Sequence, residues 1–447
     1  MHGRPIAGLA VTAWALLLGG PATTRSVPAA ASPFGEAKAA RSTRGMVSAA
    51  TPEAVEAGVR VLAAGGGAVD AAIATAFVLA ATYPQAGNLS GGGFAVVRTR
   101  DGGFFALDFR ETAPAATWRN TYLDAAGAPR DLASRYGGLA VATPGTVRGL
   151  ESLHRKLGRL PWASLVAPAV RLAREGFRVP AGLTAQLALS RKVLSRDPDA
   201  ARLFFSGGEP IAAGSLLVQP DLARTLDMIA ARGADGFHRG EIARRIAEFV
   251  RATGGVLTEA DLAGYAPSWR IPFALDFGRF SLATMPPPSA GGFLLASILG
   301  QLQTARGDFS SRDAAESIHL IAEAARRAYA DRNRFLGDPD CVAIPLARLL
   351  SPARLAALGF SIDPARATSS SAIAGGAWPG ERDQTTHLSA ATADGEAVAL
   401  TYTLNDTFGN GTVVPGTGVF LNNEMDDFSA VPGSANLFGL VQGEANA

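Results

Sequence analysis

The feature that most constrains the fold is a segment without a polar face. From residue 70 to residue 81 nearly every side chain is apolar, so a helix there has no side suited to water. It has roughly half of the ~20 residues that a membrane-spanning helix needs. We therefore expect protein layers to bury this helix on all sides, and we predict no transmembrane segment in the mature chain. A chain of 447 residues that is 48% hydrophobic is long enough to form such a core.

Local patterns around this segment predict both helices and strands. Thr51-Pro52-Glu53 combines a capping residue, a proline at the first helical position and an acid in the first turn, so a helix begins there. Strand-forming residues flank the turn sequence Asp101-Gly102-Gly103, which is typical of a hairpin. A second hairpin is predicted around Asp394-Gly395, and a helix over residues 314–330.

The N-terminus has the pattern of a secretory signal peptide. Arg4 precedes an apolar run over residues 6–18, and Ala29-Ala30-Ala31 is a candidate cleavage site. A buried first helix is the alternative, but the Pro-, Ser- and Ala-rich residues 21–33 provide no amphipathic continuation. The only cysteine, Cys341, lies far downstream, which excludes a lipid attachment site near the cleavage point. We predict a signal peptide at residues 1–31 and a periplasmic or secreted protein.

Charge and spacing argue against several classes of function. Lys and Arg number 41 against 39 Asp and Glu, and these charges are scattered, so we expect no nucleic-acid partner. No His, Cys or acidic cluster has metal-ligand spacing, so no metal is predicted. Gly91-Gly92-Gly93 lacks the lysine and the spacing of a phosphate-binding loop and is interpreted as tight backbone packing. His319 is interpreted as a packed or half-exposed side chain rather than a ligand, and Cys341 as a loop or core thiol without a partner histidine.

The candidate nucleophile is a threonine at the boundary between a linker and a strand. Residues 367–380 are rich in Ser, Ala and Gly, which predicts a flexible linker, and an alternating strand begins at Thr385. A threonine hydroxyl can be activated by its own α-amine, whose pKa is near ~7.7–8.0, when threonine is the first residue. Cleavage between Gln384 and Thr385 would free that amine. His387 should share the strand face of Thr385, and we interpret it as structural.

Three segments around this threonine resemble the gamma-glutamyltransferase family, whose members are also called glutathione hydrolases. These segments are DQTTHLS at residues 383–389, LTYTLN at 400–405 and LNNEMDDFS at 421–429. The upstream matches are YPQAGN at 83–88, GGGF at 91–94, DFRE at 108–111, TPGT at 143–146 and MPPPS at 285–289. The resemblance spans residues 45–447 and implies an α+β fold, a four-layer α-β-β-α sandwich of the N-terminal-nucleophile hydrolase type. Thr385 would lie at the end of a central strand.

The same resemblance implies a self-cleaving precursor. Cleavage between Gln384 and Thr385 would give a large-subunit region at residues 45–384 and a small-subunit region at 385–447, which stay associated. Thr385 would attack the γ-carbonyl of glutathione or another γ-glutamyl amide. Water, an amino acid or a peptide would then resolve the acyl-enzyme, with no cofactor.

The resemblance also implies roles for individual residues. Thr403 would hydrogen-bond near the nucleophile. Arg110 would bind the substrate α-carboxylate, for which a planar guanidinium is well suited. Asp427, Asn405 and Glu424 would accept hydrogen bonds from the substrate α-ammonium. Without the resemblance, Arg110 would be interpreted as a surface residue at a strand end, and Asp427 as part of a solvated turn.

Members of the family continue beyond the position of residue 447. The segment expected there includes a serine pair for the α-carboxylate and a glycine pair that forms the oxyanion hole, and loss of one oxyanion donor slows turnover by about 100- to 1000-fold. We therefore expect an incomplete small subunit. Two alternatives remain: a truncated, non-catalytic remnant or binding protein for γ-glutamyl ligands, and an acylase for glutaryl-type side chains. The presence of Arg110, Asn405 and Asp427 argues against the acylase.

Overall fold

The structure, a computed structural model, describes residues 40–130, 132–305, 314–373 and 385–429, together with Asn436 and Asn446. The predicted signal peptide and Gln384 lie outside these residues. Of the predicted linker, residues 367–373 are described, and they include one short 3-10 turn, Ser370–Ala372.

The described chain contains both strands and helices. The strands are β1 (Gly45–Ser48), β2 (Gly92–Arg98), β3 (Phe104–Asp108), β4 (Phe177–Arg178), β5 (Phe205–Ser206), β6 (Glu209–Pro210), β7 (Leu216–Leu217), β8 (Ser268–Arg270), β9 (Phe273–Phe277), β10 (Phe280–Thr284), β11 (Thr385–Thr392), β12 (Ala397–Thr403), β13 (Val413–Val414) and β14 (Val419–Phe420). The helices are α1 (Pro52–Ala63), α2 (Ala68–Thr82), α3 (Thr146–Leu157), α4 (Trp162–Glu175), α5 (Ala181–Leu194), α6 (Pro198–Phe204), α7 (Pro220–Arg232), α8 (Asp235–His238), α9 (Gly240–Ala252), α10 (Glu259–Gly264), α11 (Ala290–Ala305), α12 (Ala314–Phe335), α13 (Leu346–Leu349) and α14 (Pro352–Phe360). Further 3-10 turns lie at Gly138–Ala140 and Glu424–Asp427.

A six-stranded antiparallel sheet lies at the centre of the fold. Its strand order is β1-β11-β12-β2-β3-β8, so the C-terminal hairpin β11–β12 is inserted between strands from the N-terminal part of the chain. Both predicted hairpins are confirmed. Their turns contain Gly102 and Gly395, each with a φ of 87°, a backbone conformation that glycine adopts without strain.

Helix α2 packs against one face of this sheet. Every one of its residues is buried, as the apolar sequence predicted. It contacts α1, α4, β11 and β12, and the Tyr402 hydroxyl donates a hydrogen bond to the Ala76 carbonyl at 2.9 Å. The contact with α1 requires a glycine, since a Cβ on Gly58 would lie 2.4 Å from Thr75 Oγ1. Helix α1 begins as predicted, with the Thr51 hydroxyl accepting from Ala54 N.

The α+β prediction is confirmed by this mixture of sheet and helices. Of the four expected layers, the described residues form the large sheet and the helical layer on its buried face. The predicted helix at residues 314–330 lies within α12, which packs with α11 and α14. None of the described helices is both long and apolar enough to span a membrane.

Two buried carboxylates connect the start of α2 to the turn of the β11–β12 hairpin. Asp70 Oδ2 accepts from Gly67 N at 3.0 Å, and Asp70 Oδ1 accepts from Arg159 N at 3.0 Å. Glu396 Oε2 accepts from Ala68 N at 3.2 Å and pairs with Arg159 Nη2 at 2.8 Å. Negative charge is favourable at a helix N-terminus. These contacts therefore stabilise both α2 and the hairpin that begins with Thr385.

We expect Asp70→Ala to lower the free energy of unfolding by about 2–4 kcal/mol, because it leaves the buried N–H of Gly67 and the partly buried N–H of Arg159 without their acceptor. Urea unfolding followed by circular dichroism measures this difference. Glu56→Ala is the control, since the Glu56 side chain is 61% exposed on α1, and its effect should stay within about 0.5 kcal/mol. Equal destabilisation by the two variants would contradict the role given to Asp70.

Candidate active site

Thr385 and Thr403 lie directly opposite each other on neighbouring strands. Thr385 is the first residue of β11 and pairs with Thr403, the last residue of β12. Because side chains alternate along a strand, Thr385 is exposed while Thr386 is buried. Both Thr385 and Thr403 line a cavity of about 680 Å³. The structure therefore places the candidate nucleophile on the wall of a cavity.

Asn88 fixes the backbone beneath Thr403. Its Nδ2 donates to the Thr403 carbonyl at 2.9 Å, while its Oδ1 accepts from Gly91 N and from the Thr146 hydroxyl, each at 2.8 Å. A Cβ on Gly91 would lie only 1.8 Å from the Thr403 carbonyl oxygen. The interpretation of Gly91-Gly92-Gly93 as tight backbone packing is thus confirmed. Four of the segments in the family resemblance meet at this point.

Arg110 is surrounded by three carboxyl groups on another wall of the cavity. Its Nη2 forms ion pairs with Glu424 and Asp427, both from the 3-10 turn Glu424–Asp427. Its Nη1 lies 3.7 Å from Glu111 Oε2. The Arg110 side chain is 24% exposed, so it is not the surface arginine that its sequence position alone would indicate. All four residues line the cavity that holds Thr385.

Burial shifts the pKa values of this cluster. Burial raises the pKa of Glu111 to about 7, although Arg110 acts in the opposite direction. Burial also raises the pKa of Glu424 well above its ordinary value. Burial disfavours the charged form of Arg110, but the neighbouring carboxylates outweigh it and raise the Arg110 pKa. The guanidinium therefore stays charged, whereas the carboxyl groups compete for it.

Asp108, two residues away, and the sequence-distant Tyr265 and Arg270 hold Arg110 in place. Asp108 Oδ1 accepts from Arg110 N at 3.0 Å, and Asp108 Oδ2 pairs with Arg270 Nε at 2.8 Å. The Tyr265 hydroxyl donates to the Arg110 carbonyl at 2.7 Å. Neither Tyr265 nor Arg270 was a candidate from the sequence, since no local spacing relates them to Arg110. Both also line the cavity.

Asn405 lies behind the cavity wall. It is not among the described residues that line the cavity. Its backbone N–H donates to the Thr403 hydroxyl at 3.0 Å, and its side-chain Nδ2 donates to the Asn423 carbonyl at 2.9 Å. Asn405 thus connects Thr403 to the segment that carries Glu424 and Asp427.

His387 lies on the same strand face as Thr385 and contacts two hydroxyl groups. Its Nδ1 is 2.7 Å from Thr401 Oγ1, and its Nε2 is 3.1 Å from Ser389 Oγ. Burial lowers its pKa. Cys341 is exposed, and the Asp338 carboxylate raises the pKa of its thiol, which weakens it as a nucleophile.

His319 Nε2 lies 2.8 Å from the Asp363 carbonyl oxygen. Across the described ranges no group of three or more His, Cys, Asp or Glu residues is arranged to hold a metal ion.

Known proteins are similar to this chain in sequence and in fold. The family model for gamma-glutamyltranspeptidase matches residues 54–447. The glutathione hydrolase proenzyme of Escherichia coli (strain K12) is 44% identical over 91% of this chain and 70% of that protein. The crystal structure of Helicobacter pylori gamma-glutamyltranspeptidase superposes with a TM-score of 0.73 at 37% identity, over 75% of this chain and 97% of that chain.

The cephalosporin acylase from Bacillus halodurans has a similar structure, with a TM-score of 0.75 at 28% identity over 90% of this chain and 74% of that chain. Sequence identity is thus higher to the glutathione hydrolase and the transpeptidase than to this acylase. The match of the family model extends over most of the chain and includes Thr385, Arg110 and Asp427. The chain belongs to the gamma-glutamyltranspeptidase family of enzymes.

Proposed function

We propose that this chain is a proenzyme that cleaves its own backbone between Gln384 and Thr385, and that Thr385 then hydrolyses or transfers the γ-glutamyl group of glutathione and related amides. The observation that carries this proposal is the position of Thr385, opposite Thr403 and on the same cavity as Arg110. A relative with 44% identity is named a glutathione hydrolase proenzyme. Cleavage would divide the chain into regions 45–384 and 385–447.

Cleavage would give Thr385 the base that its hydroxyl lacks. The freed α-amine, with a pKa near ~7.7–8.0, takes the proton from Oγ while Oγ bonds to the γ-carbonyl carbon. That proton then passes to the leaving amine as the amide C–N bond breaks, which leaves an ester on Thr385. Water, or the amine of an amino acid or peptide, attacks the ester and restores the hydroxyl. Thr403, held by Asn88 and Asn405, would orient the nucleophile.

The Arg110 cluster would recognise the amino-acid end of the donor. The planar guanidinium can bond both oxygens of the α-carboxylate. Glu424 and Asp427, which contact Arg110 in the structure, would then accept hydrogen bonds from the α-ammonium. The amino-acid end of the donor is a zwitterion and supplies one group of each sign. The ion pairs of Arg110 with Glu424 and Asp427 would thus be replaced by ion pairs with the substrate. Asn405 would support this end of the site through Asn423.

The N-terminal residues support a proposal about location. The basic residue, apolar run and small-residue triplet at residues 1–31 fit a signal peptide. We therefore propose that the chain is exported to the periplasm or secreted.

A glutaryl-type acylase is the second candidate function, and the structural similarity to the cephalosporin acylase from Bacillus halodurans favours it. A glutaryl group has no α-ammonium. It would leave Glu111, Glu424 and Asp427 without a cationic partner from the substrate, and burial of unpaired charge is costly. The three carboxyl groups therefore favour a γ-glutamyl donor.

We expect the unmodified chain to be cut into two fragments, with Thr385 at the N-terminus of the smaller one. The reason is that the Thr385 hydroxyl attacks the carbonyl of the preceding residue. Thr385→Ala should stay intact since it lacks that hydroxyl. Thr385→Ser retains a hydroxyl and should still be cut. Intact-mass spectrometry after incubation measures all three. An uncut unmodified chain, or cleavage of Thr385→Ala at the same bond, would contradict self-cleavage.

We expect Asp427→Asn to lower kcat/KM for a γ-glutamyl anilide by about 10- to 1000-fold, because a charged acceptor for the α-ammonium is lost. The rate with the matching glutaryl anilide should change little, which makes that substrate an internal control for folding. Release of the anilide chromophore measures both reactions. Faster cleavage of the glutaryl anilide by the unmodified chain would instead support the acylase.

A further inference from the structure

The Glu111 carboxyl is buried in the cavity wall without a conventional partner. Its side chain has no exposed surface, yet it lines the cavity with Thr385 and Arg110. No hydrogen-bond donor on another described residue reaches either of its oxygens. Arg110 Nη1 is 3.7 Å from Oε2, which is beyond hydrogen-bonding distance. Burial of a carboxyl group without a hydrogen-bond partner costs folding free energy, so its presence here indicates a function.

The neighbour that Glu111 does meet is another carboxyl group. Glu111 and Glu424 lie within hydrogen-bonding reach of each other. Two ionised carboxylates cannot hydrogen-bond, since both are acceptors, so this contact requires a proton on one of them. Burial raises the pKa of both groups, that of Glu111 to about 7. The pair is therefore suited to share one proton near neutral pH.

The charged groups around this pair do not supply enough positive charge to ionise it fully. Arg110 faces Glu111, Glu424 and Asp427 at the same time. On the β3 side, Asp108 faces Arg110 but is itself paired with Arg270.

Arg332 of α12 faces Asp427, and the neutral Tyr265 hydroxyl points to the Arg110 carbonyl. On β2 the facing residue is Gly92, where a Cβ would lie 2.4 Å from Glu111 Oε2, so this position has no side chain that could pair with the carboxyl. A proton is thus the available counter-charge for the Glu111–Glu424 pair among the described residues.

We propose that Glu111 is a further recognition residue of this site: it shares one proton with Glu424 in the unliganded protein, and the pair releases that proton when an α-ammonium group binds. This inference rests on the proposed function, which brings an amino-acid head group to Arg110. The proton passes to the solvent, and the ammonium replaces it as counter-charge. Only an O–H bond breaks. A dicarboxylic acid without an ammonium brings no such replacement.

Calorimetric titration with L-glutamate, the product of the proposed hydrolysis, tests this exchange. At pH 6 the binding enthalpies measured in phosphate and in imidazole buffers should differ by the difference between the ionisation enthalpies of the two buffers, multiplied by about one released proton. Glu111→Gln should lower this difference, because the carboxamide removes the neighbouring carboxylate that helps to hold the proton on the pair. The control Glu56→Gln, an exposed residue on α1, should leave the difference unchanged.

The unmodified chain provides a second test that does not depend on the variant. Its affinity for L-glutamate should fall as the pH is lowered below about 7, by up to about tenfold for each unit of pH, since the proton competes with the ammonium.

Binding with equal heats in both buffers, or equal proton release by the unmodified chain and Glu111→Gln, would overturn the role of Glu111 while leaving the proposed function intact. No binding of L-glutamate at any pH would overturn both.

Discussion

The burial of α2 on every side is the constraint on which the rest of the structure depends. A helix with no polar face must be enclosed by other elements, and here α1, α4 and the buried face of the sheet enclose it. Its N-terminus is held by Asp70 and Glu396, and its middle by the Tyr402 hydroxyl. The strands that pack on α2 are β11 and β12, so the burial of this helix also determines the position of Thr385.

The candidate site combines a closely packed backbone with a cluster of competing charges. Asn88 and the side-chain-free Gly91 hold the end of β12 so closely that no larger residue fits at position 91. Around Arg110, by contrast, three carboxyl groups compete for one guanidinium, and burial raises the pKa of two of them. The first arrangement suits a nucleophile, which needs precise placement. The second suits a ligand that brings its own charges.

Local sequence patterns were sufficient for much of the fold. The start of α1, the burial of α2 and both hairpins follow from capping, periodicity and turn residues. Thr385, Thr403, Arg110, Glu424 and Asp427 were identified by family resemblance, and the structure brings them to one cavity. Tyr265 and Arg270 could not be predicted in this way, since they reach Arg110 only through tertiary folding. Asn405 was expected at the substrate, but the structure places it behind Thr403.

The strand order has a consequence for the time at which the site can form. Thr385 and Thr403 occupy the interior of a sheet whose other strands come from the first 270 residues of the chain. The sheet therefore lacks β11 and β12 until the ribosome has released this hairpin. Strand pairings between such distant segments also form slowly. Until then Thr385 has neither the neighbouring strands nor the cavity wall around it. Order of synthesis alone would thus keep the hydroxyl of a nascent chain inert, without a separate inhibitor.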